Sequence, residues 1–181
     1  KTSDKDIHTV LAILDDVRKN GDSAVKKYEQ KFNRRKTSQL RVSEKEIKEA
    51  KITEAQFDAL RSSALRISIT QRQLKKGLIG SVSKIQGISL IPIASVGCYI
   101  PGGQAKYPSS AIMSTITAAE AGVKRIVITS PPGSDGKIDP MIITVAEKCG
   151  AEIYKVGGAQ AIGALAYGTK SIPKVDKIVG P

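Results

Sequence analysis

The sequence predicts an α/β protein, with a helical N-terminal region followed by an incomplete, Rossmann-like, mostly parallel βαβαβαβ sheet. The first observation is compositional: residues 1–90 carry four Gly and no Pro, whereas residues 91–181 carry 12 Gly and all eight Pro. The second is charge, with 20 Lys and Arg and 11 Asp and Glu in the first half, against 9 and 6 in the second. Charged, glycine-poor sequence favours amphipathic helices, and turn-rich alternation favours parallel strands. We expect part of a first domain at 1–90, with a short β segment at its end, and a C-terminally incomplete α/β domain at 91–181.

Two amphipathic helices are predicted at the start of the chain. Ser3 or Asp4 can cap the first, and Asn20-Gly21 supplies a left-handed stop. The polar stretch Asn33–Lys36 should form a loop after the second helix. Apolar side chains at helical spacing define one face of each helix: Ile7, Val10, Leu11, Leu14 and Val17, then Val25, Tyr28 and Phe32.

Two further helices follow in the first half. Ser43-x-x-Glu46 is a capping box that opens a short helix. Thr53 can cap a longer helix, which we expect to end near Lys76, before Gly77. The stretch Ser81–Ile100 is then rich in Val, Ile and Leu, and it predicts β-like structure.

The second half alternates strands and helices. Predicted strands recur every 23–29 residues with a short helix between each pair, which is typical of a parallel sheet with right-handed crossovers. The predicted elements are strands Val96–Ile100, Arg125–Thr129, Glu152–Val156 and Val175–Val179, and helices Ser109–Ala121, Pro140–Lys148 and Ala159–Tyr167.

Composition excludes several classes of protein. Forty per cent hydrophobic and 25% charged residues are ordinary for a globular protein, and no apolar run reaches the roughly 18–20 residues of a membrane span. Cys98 and Cys149 lie 51 positions apart, so we expect no disulfide framework and a cytoplasmic location. His8 is the only histidine, which excludes a Cys/His zinc site within these residues.

The sharpest local signal lies where the third predicted strand meets its helix. Ligands of an open parallel sheet bind beyond the carboxyl ends of its strands. There, Gly157 and Gly158 allow a ligand to approach backbone N–H groups, the helix N-terminus suits a phosphate, and Gln160 can reach a polar group. Tyr99 ends the first strand and could present a flat surface to a nucleotide ring. Both features leave alternatives open, because a Gly-Gly turn is often a packing device and Tyr99 could be a half-buried core residue.

Three other features favour structural roles. Cys98 has no nearby base or cation in the sequence and is interpreted as a small buried hydrophobe. His8 should lie solvated on its helix. The basic stretch Lys31–Lys36 is interpreted as a charged surface loop.

Several motifs of the second half resemble the histidinol dehydrogenase family. The resemblance is close over residues 92–181 and looser over Asp4–Lys75. Cys98 stands where an aliphatic residue is usual in the family, and Gln104 where a small hydroxyl residue is common. The matching segments are VGCYIPGG at 96–103, YPSS at 107–110, AEAGVKRIV at 119–127, PPGSDGKIDP at 131–140 and YKVGGAQAIGALAYGTKSIPKVDKIVGP at 154–181.

The resemblance implies a zinc-dependent, cytoplasmic, homodimeric enzyme of histidine biosynthesis. Such an enzyme oxidises L-histidinol through the aldehyde to L-histidine with two molecules of NAD. Tyr99 and Gln160 match family positions that contact NAD, and Gly157 and Gly158 adjoin them. The family's catalytic Glu-His pair, its zinc ligands and a third NAD-contacting residue, an Asn, would all lie beyond Pro181. The resemblance therefore implies an N-terminal portion that carries part of an NAD pocket, with no catalytic or metal residue, and that is inactive alone.

Two other function classes remain open. One is a catalytically silent NAD-binding or interaction module, which sequence following Pro181 would distinguish from the enzyme. The other is a nucleic-acid-binding domain, motivated by the net charge of +12. The low aromatic content of 4% and the absence of a binding motif argue against the second, and sequence-specific binding at moderate salt would support it.

Overall fold

The computed structural model describes residues 3–33, 39–102 and 106–181. Parts of the predicted loop at 33–36, together with Gly103 and Gln104 of the family-like motif, lie outside the described residues. The described elements are helices α1 (Asp4–Asn20), α2 (Asp22–Asn33), α3 (Glu44–Glu49), α4 (Glu54–Val82), α5 (Pro108–Ala121), α6 (Pro140–Lys148) and α7 (Gly158–Tyr167), and strands β1 (Ser95–Tyr99), β2 (Arg125–Ser130), β3 (Glu152–Lys155) and β4 (Lys177–Val179).

The four strands form one parallel sheet in the order β3-β2-β1-β4. The register places Cys98 of β1 between Ile128 of β2 and Val179 of β4. Residues 40–42 add one antiparallel bridge at the outer edge of β3, between Arg41 and Tyr154. The predicted α/β class and the parallel alternation are therefore confirmed, and each predicted strand lies within two residues of its observed bounds.

Helices cover both faces of the sheet. Successive strand residues point to opposite faces, and in β2 Val127 and Ile128 accordingly belong to different buried clusters. One cluster lies between the sheet and α4, α5 and α6, and it includes Cys98. The other lies between the sheet and α1, α2 and α7, and it includes Val17 and Val25. The N-terminal helices thus share their cores with the sheet, and the division into two domains at residue 90 stays a prediction.

The first helix follows its local signals but buries less than expected. Ser3 caps α1 in a capping box with Asp6, and the helix ends at Gly21, whose φ is 52°. Val17 is fully buried. Three of the five residues of the predicted apolar face are exposed: Ile7 is 47%, Val10 43% and Leu11 55% exposed.

The predicted end of the fourth helix and the β segment after it are wrong. Helix α4 continues through Gly77 and Gly80 to Val82, and no strand occurs between residues 83 and 94, all of which the structure describes. A glycine inside a helix costs only about 0.5–1 kcal/mol relative to alanine. Packing of α4 along α5 offsets that cost, since Ser68, Arg72 and Lys75 donate hydrogen bonds to Glu120 at the end of α5.

A glycine in β1 sets how closely α7 approaches the sheet. A Cβ atom on Gly97 would lie 2.8 Å from Leu165 Cδ1 of α7 and 3.1 Å from Val175 Cγ2. Leu165 is fully buried, so it has no room to move away. This contact sets the distance between the C-terminal half of α7 and the middle of β1.

Candidate functional site

Tyr99 and the turn before α7 meet at the carboxyl end of the sheet. Tyr99 is the last residue of β1, and its hydroxyl oxygen accepts a hydrogen bond of 3.2 Å from the Gly158 N–H. Its ring is half-buried. The structure therefore brings together two of the four residues that the sequence assigned to cofactor binding.

Glycine is required at the two positions of this turn for different structural reasons. A Cβ atom on Gly157 would lie 2.6 Å from Pro131 Cβ, in the loop that follows β2. Gly158 has a φ of 60°, in the left-handed region that favours glycine. The packing role that the sequence left open is thus present at Gly157, and it does not exclude contact with a ligand.

Gln160 lies beneath the turn rather than on its surface. Its side chain is 1% exposed. Its Nε2 donates a hydrogen bond of 2.9 Å to Oε1 of Glu29, and the same oxygen accepts the Gly157 N–H at 3.0 Å. Gln160 Oε1 is buried and has no hydrogen-bond partner, and a Cβ atom on Gly158 would lie 2.8 Å from it. Tyr99 and Gln160 therefore adjoin the same residue, Gly158.

The backbone donors of the turn are already in use. The sequence indicated that a ligand could approach backbone N–H groups at this turn and that the helix N-terminus would suit a phosphate. Glu29 accepts the Gly157 N–H, and the Tyr99 hydroxyl accepts the Gly158 N–H. A phosphate would have to displace both partners to bind these two donors.

Glu29 is the residue of this site that sequence reasoning missed. It lies on α2, 131 positions before Gln160, and its side chain is fully buried. A weak signal was present, because Glu29 follows Val25 by four residues and so shares the buried face of its helix. A carboxyl group on such a face requires partners, but the sequence does not say which ones.

A second polar feature lies beside the turn, at the ends of β1 and β2. A cavity of about 250 Å³ is lined there by Gly102, Ser130, Pro131 and the start of α6. Asp139 caps α6 by accepting the Met141 N–H at 2.8 Å. Its other oxygen lies 3.1 Å from Lys106 Nζ. Pro131 therefore separates this cavity from the Gly157 turn.

The whole chain, residues 1–181, matches the sequence profile of the histidinol dehydrogenase family. The chain belongs to the histidinol dehydrogenase family. It is 46% identical over 176 residues to the histidinol dehydrogenase of Dehalococcoides mccartyi, covering 95% of this chain and 40% of the relative. It is 46% identical over 178 residues to that of Bacillus cereus, covering 95% of this chain and 41% of the relative. The family resemblance expected from the motifs is confirmed.

A solved structure agrees with the sequence matches. Histidinol dehydrogenase from Elizabethkingia anophelis superposes with a TM-score of 0.85 and 33% sequence identity, over 100% of this chain and 43% of that chain. The chain thus spans about two fifths of the length of the histidinol dehydrogenases that it matches.

Other features of this family member concern metals, membranes and thiols. Within the part of the chain that the structure describes, His, Cys, Asp and Glu side chains form no group of three or more that could hold a metal ion. Among the same residues, no helix has the length and apolar content needed to cross a membrane. Cys98 is fully buried, and burial raises the pKa of its thiol to about 11, which confirms its interpretation as a small hydrophobe. His8 is exposed on α1, as predicted.

Proposed function

We propose that the protein carrying this chain is an NAD-dependent histidinol dehydrogenase. It would oxidise L-histidinol to L-histidine through the aldehyde, using two molecules of NAD in succession. Membership of the family carries the proposal. The meeting of Tyr99 and Gln160 around Gly158, at the carboxyl end of a parallel sheet, supports the assignment of these residues to the NAD site.

The residues at this turn fit part of a dinucleotide. The Tyr99 ring offers a flat apolar surface beside the turn, and such surfaces stack on bases. Gly158 lets a ligand approach the backbone closely, because it carries no Cβ atom. Gln160 Oε1 is a buried acceptor that lacks a donor, and a hydroxyl or amino group of the ligand would supply one. When bound, NAD accepts the hydride; the residues named here bind and orient it.

The remaining features of the enzyme are proposed from the family resemblance. The described residues hold no ligand set that fits zinc. We propose that the zinc ligands and the Glu-His pair of the enzyme lie outside this chain, so that the chain alone is inactive. A homodimer and a cytoplasmic location complete the proposal.

Titration of the intact protein with NAD tests the site assignment. We expect Tyr99→Ala and Gln160→Ala each to weaken NAD binding about tenfold, since base stacking and a buried hydrogen bond each contribute about 1 kcal/mol or more. Zinc content should not change in either variant. Tyr167→Ala is the matched control, because Tyr167 is a half-exposed tyrosine at the opposite end of α7.

Two outcomes would contradict parts of the proposal. Unchanged NAD affinity in both site variants would refute the assignment of Tyr99 and Gln160. NAD binding without oxidation of L-histidinol by the intact protein would refute the enzyme and favour the silent NAD-binding module.

A further inference from the structure

Glu29 is a buried carboxyl group placed beside a helix N-terminus by a distant part of the chain. It is 0% exposed, and one of its oxygens accepts both the Gly157 N–H at 3.0 Å and Gln160 Nε2 at 2.9 Å. Gly157 is the N-cap of α7, a helix of ten residues. A carboxylate is stabilised at such a position by the N–H groups and by the helix dipole.

The first consequence concerns the orientation of the Gln160 amide. A carboxylate oxygen only accepts hydrogen bonds, so it holds the amide nitrogen, and the amide oxygen must point the other way. That oxygen is buried, lacks a donor, and lies next to Gly158. Gln160 therefore presents an acceptor, not a donor, at the turn.

The second consequence concerns the anion-binding position at the helix N-terminus. The position beside the α7 N-terminus that would attract a phosphate already holds the Glu29 carboxylate. A phosphate at the same turn would have to displace Glu29 from the Gly157 N–H and the Tyr99 hydroxyl from the Gly158 N–H. Both consequences disfavour a phosphate at this turn and favour a neutral group that donates a hydrogen bond.

We propose that Glu29 is a positioning residue that fixes Gln160 as a hydrogen-bond acceptor, so that this turn binds a nucleoside hydroxyl or amino group of the cofactor rather than its pyrophosphate. This inference rests on the proposed NAD-dependent function. It assigns to the N-terminal helix α2 a part in cofactor recognition, exerted through Gln160.

Three variants of Glu29 in the intact protein test the positioning role. Glu29→Leu removes the acceptor and should raise the KM for NAD about tenfold, with kcat and the KM for histidinol unchanged. Glu29→Gln keeps an oxygen that can accept both N–H groups, and it should stay within about threefold of the original KM. Glu29→Asp retracts the carboxylate and should also raise the KM for NAD. It replaces Glu29→Leu as the test if the Leu variant does not fold.

Asp22→Asn is the matched control. Asp22 is a carboxylate of the same helix, and it binds Ser171 after the far end of α7, with Oδ2 2.6 Å from the Ser171 hydroxyl. Its replacement should lower thermal stability without changing the KM for NAD. If the Glu29 variants behave like Asp22→Asn, Glu29 has only a structural role and the inference is wrong.

A double-mutant cycle tests whether Glu29 acts through Gln160. On a Gln160→Ala background, replacing Glu29 by Leu should weaken NAD binding by less than a further twofold, because the amide that Glu29 orients is gone. Asp replaces Leu in this cycle if the Leu variant does not fold. Additive effects, giving about a hundredfold loss for the pair with Leu, would overturn the inference.

Competition with fragments of the cofactor identifies the group at the turn. Adenosine and nicotinamide riboside are the nucleoside probes, and inorganic pyrophosphate is the phosphate probe. We expect at least one nucleoside to lose affinity in the Glu29 and Gln160 variants, and pyrophosphate to compete equally in all of them. Pyrophosphate affinity that changes in these variants would refute the inference. Failure of the unmutated protein to bind NAD would instead refute the proposed function.

Discussion

Replacing Gly157 by Ala should disturb the turn through a single methyl group. The backbone of Gly157 has φ −117° and ψ −173°, which alanine adopts without strain. The added Cβ atom would nevertheless lie 2.6 Å from Pro131 Cβ, 3.1 Å from its Cγ and 3.3 Å from its Cα. Carbon atoms pack best about 3.5–4.0 Å apart, so the closest contact is too short by at least about 0.9 Å.

The overlap cannot be relieved by a side-chain rotation, because the proline ring and its Cα atom are rigid parts of the chain. Overpacking of this kind costs about 1–3 kcal/mol, and we take the upper half of that range for a backbone partner. Alanine restricts the unfolded chain more than glycine does, which offsets this destabilisation by about 0.4–1 kcal/mol. The expected net loss in the free energy of unfolding is about 1–2.6 kcal/mol, accompanied by weaker NAD binding as Gly157 moves away from Glu29.

Chemical denaturation measures the stability change, and hydrogen exchange of the α7 amides localises it. Gly80→Ala is the control: Gly80 lies inside α4, and apart from its chain neighbours and the local helix backbone nothing lies within 4 Å of an added Cβ, so alanine should stabilise the protein by about 0.5–1 kcal/mol. Pro131→Gly removes the contacting ring atoms and should lower the cost of Gly157→Ala. An equal cost on both backgrounds, or no cost at all, would refute the steric reasoning.

Three further predictions concern Cys98, Glu152 and Leu165. Because burial raises the pKa of Cys98 to about 11, a thiol reagent at pH 8 should modify it only as fast as the protein opens; rapid modification of the folded protein would contradict this. Burial alone would raise the pKa of Glu152, but hydrogen bonds from Arg125 and Tyr154 outweigh it and hold the pKa below its usual value of 4.5. The resulting stability is present above the unfolded-state pKa and is lost as the pH falls through the folded-state pKa. The free energy of unfolding, measured between pH 2 and 7, should therefore fall less steeply towards acid pH in Glu152→Gln than in the original protein. An unchanged pH profile would contradict this role of Glu152. Leu165→Ala should cost about 2–5 kcal/mol in the free energy of unfolding, since Leu165 is fully buried against β1, and a loss below 1 kcal/mol would mean that α7 relaxes onto the sheet.

Short-range signals made the helix starts and the positions of the strands along the chain predictable. The predicted cap at Ser3 and the predicted capping box at Ser43 both form, with each Ser side chain accepting the N–H three residues later. Pro140 begins α6, and Gly122 ends α5 in the left-handed conformation. These features depend on atoms within four residues of one another, so the local sequence is sufficient to specify them.

The end of α4 was not predictable in the same way. Gly77 and the apolar residues after Gly80 indicated a helix stop and a strand, yet the helix runs to Val82. Local preferences of this kind differ by about 1 kcal/mol, and contacts with α5 exceed them. The bonds to Glu120 that hold α4 come from residues 45 to 52 positions away, which no local pattern reports.

The sequence by itself determined the α/β class, the parallel alternation, the family and the turn at Gly157 and Gly158. Periodicity, caps and motifs all depend on residues that lie close together in the sequence. Only the tertiary structure showed that Glu29 lies beneath that turn and that Gln160 presents its oxygen there. The reason is physical: a buried carboxyl group and the amide it orients are matched in space by the packing of α2 against α7, across 131 positions of chain.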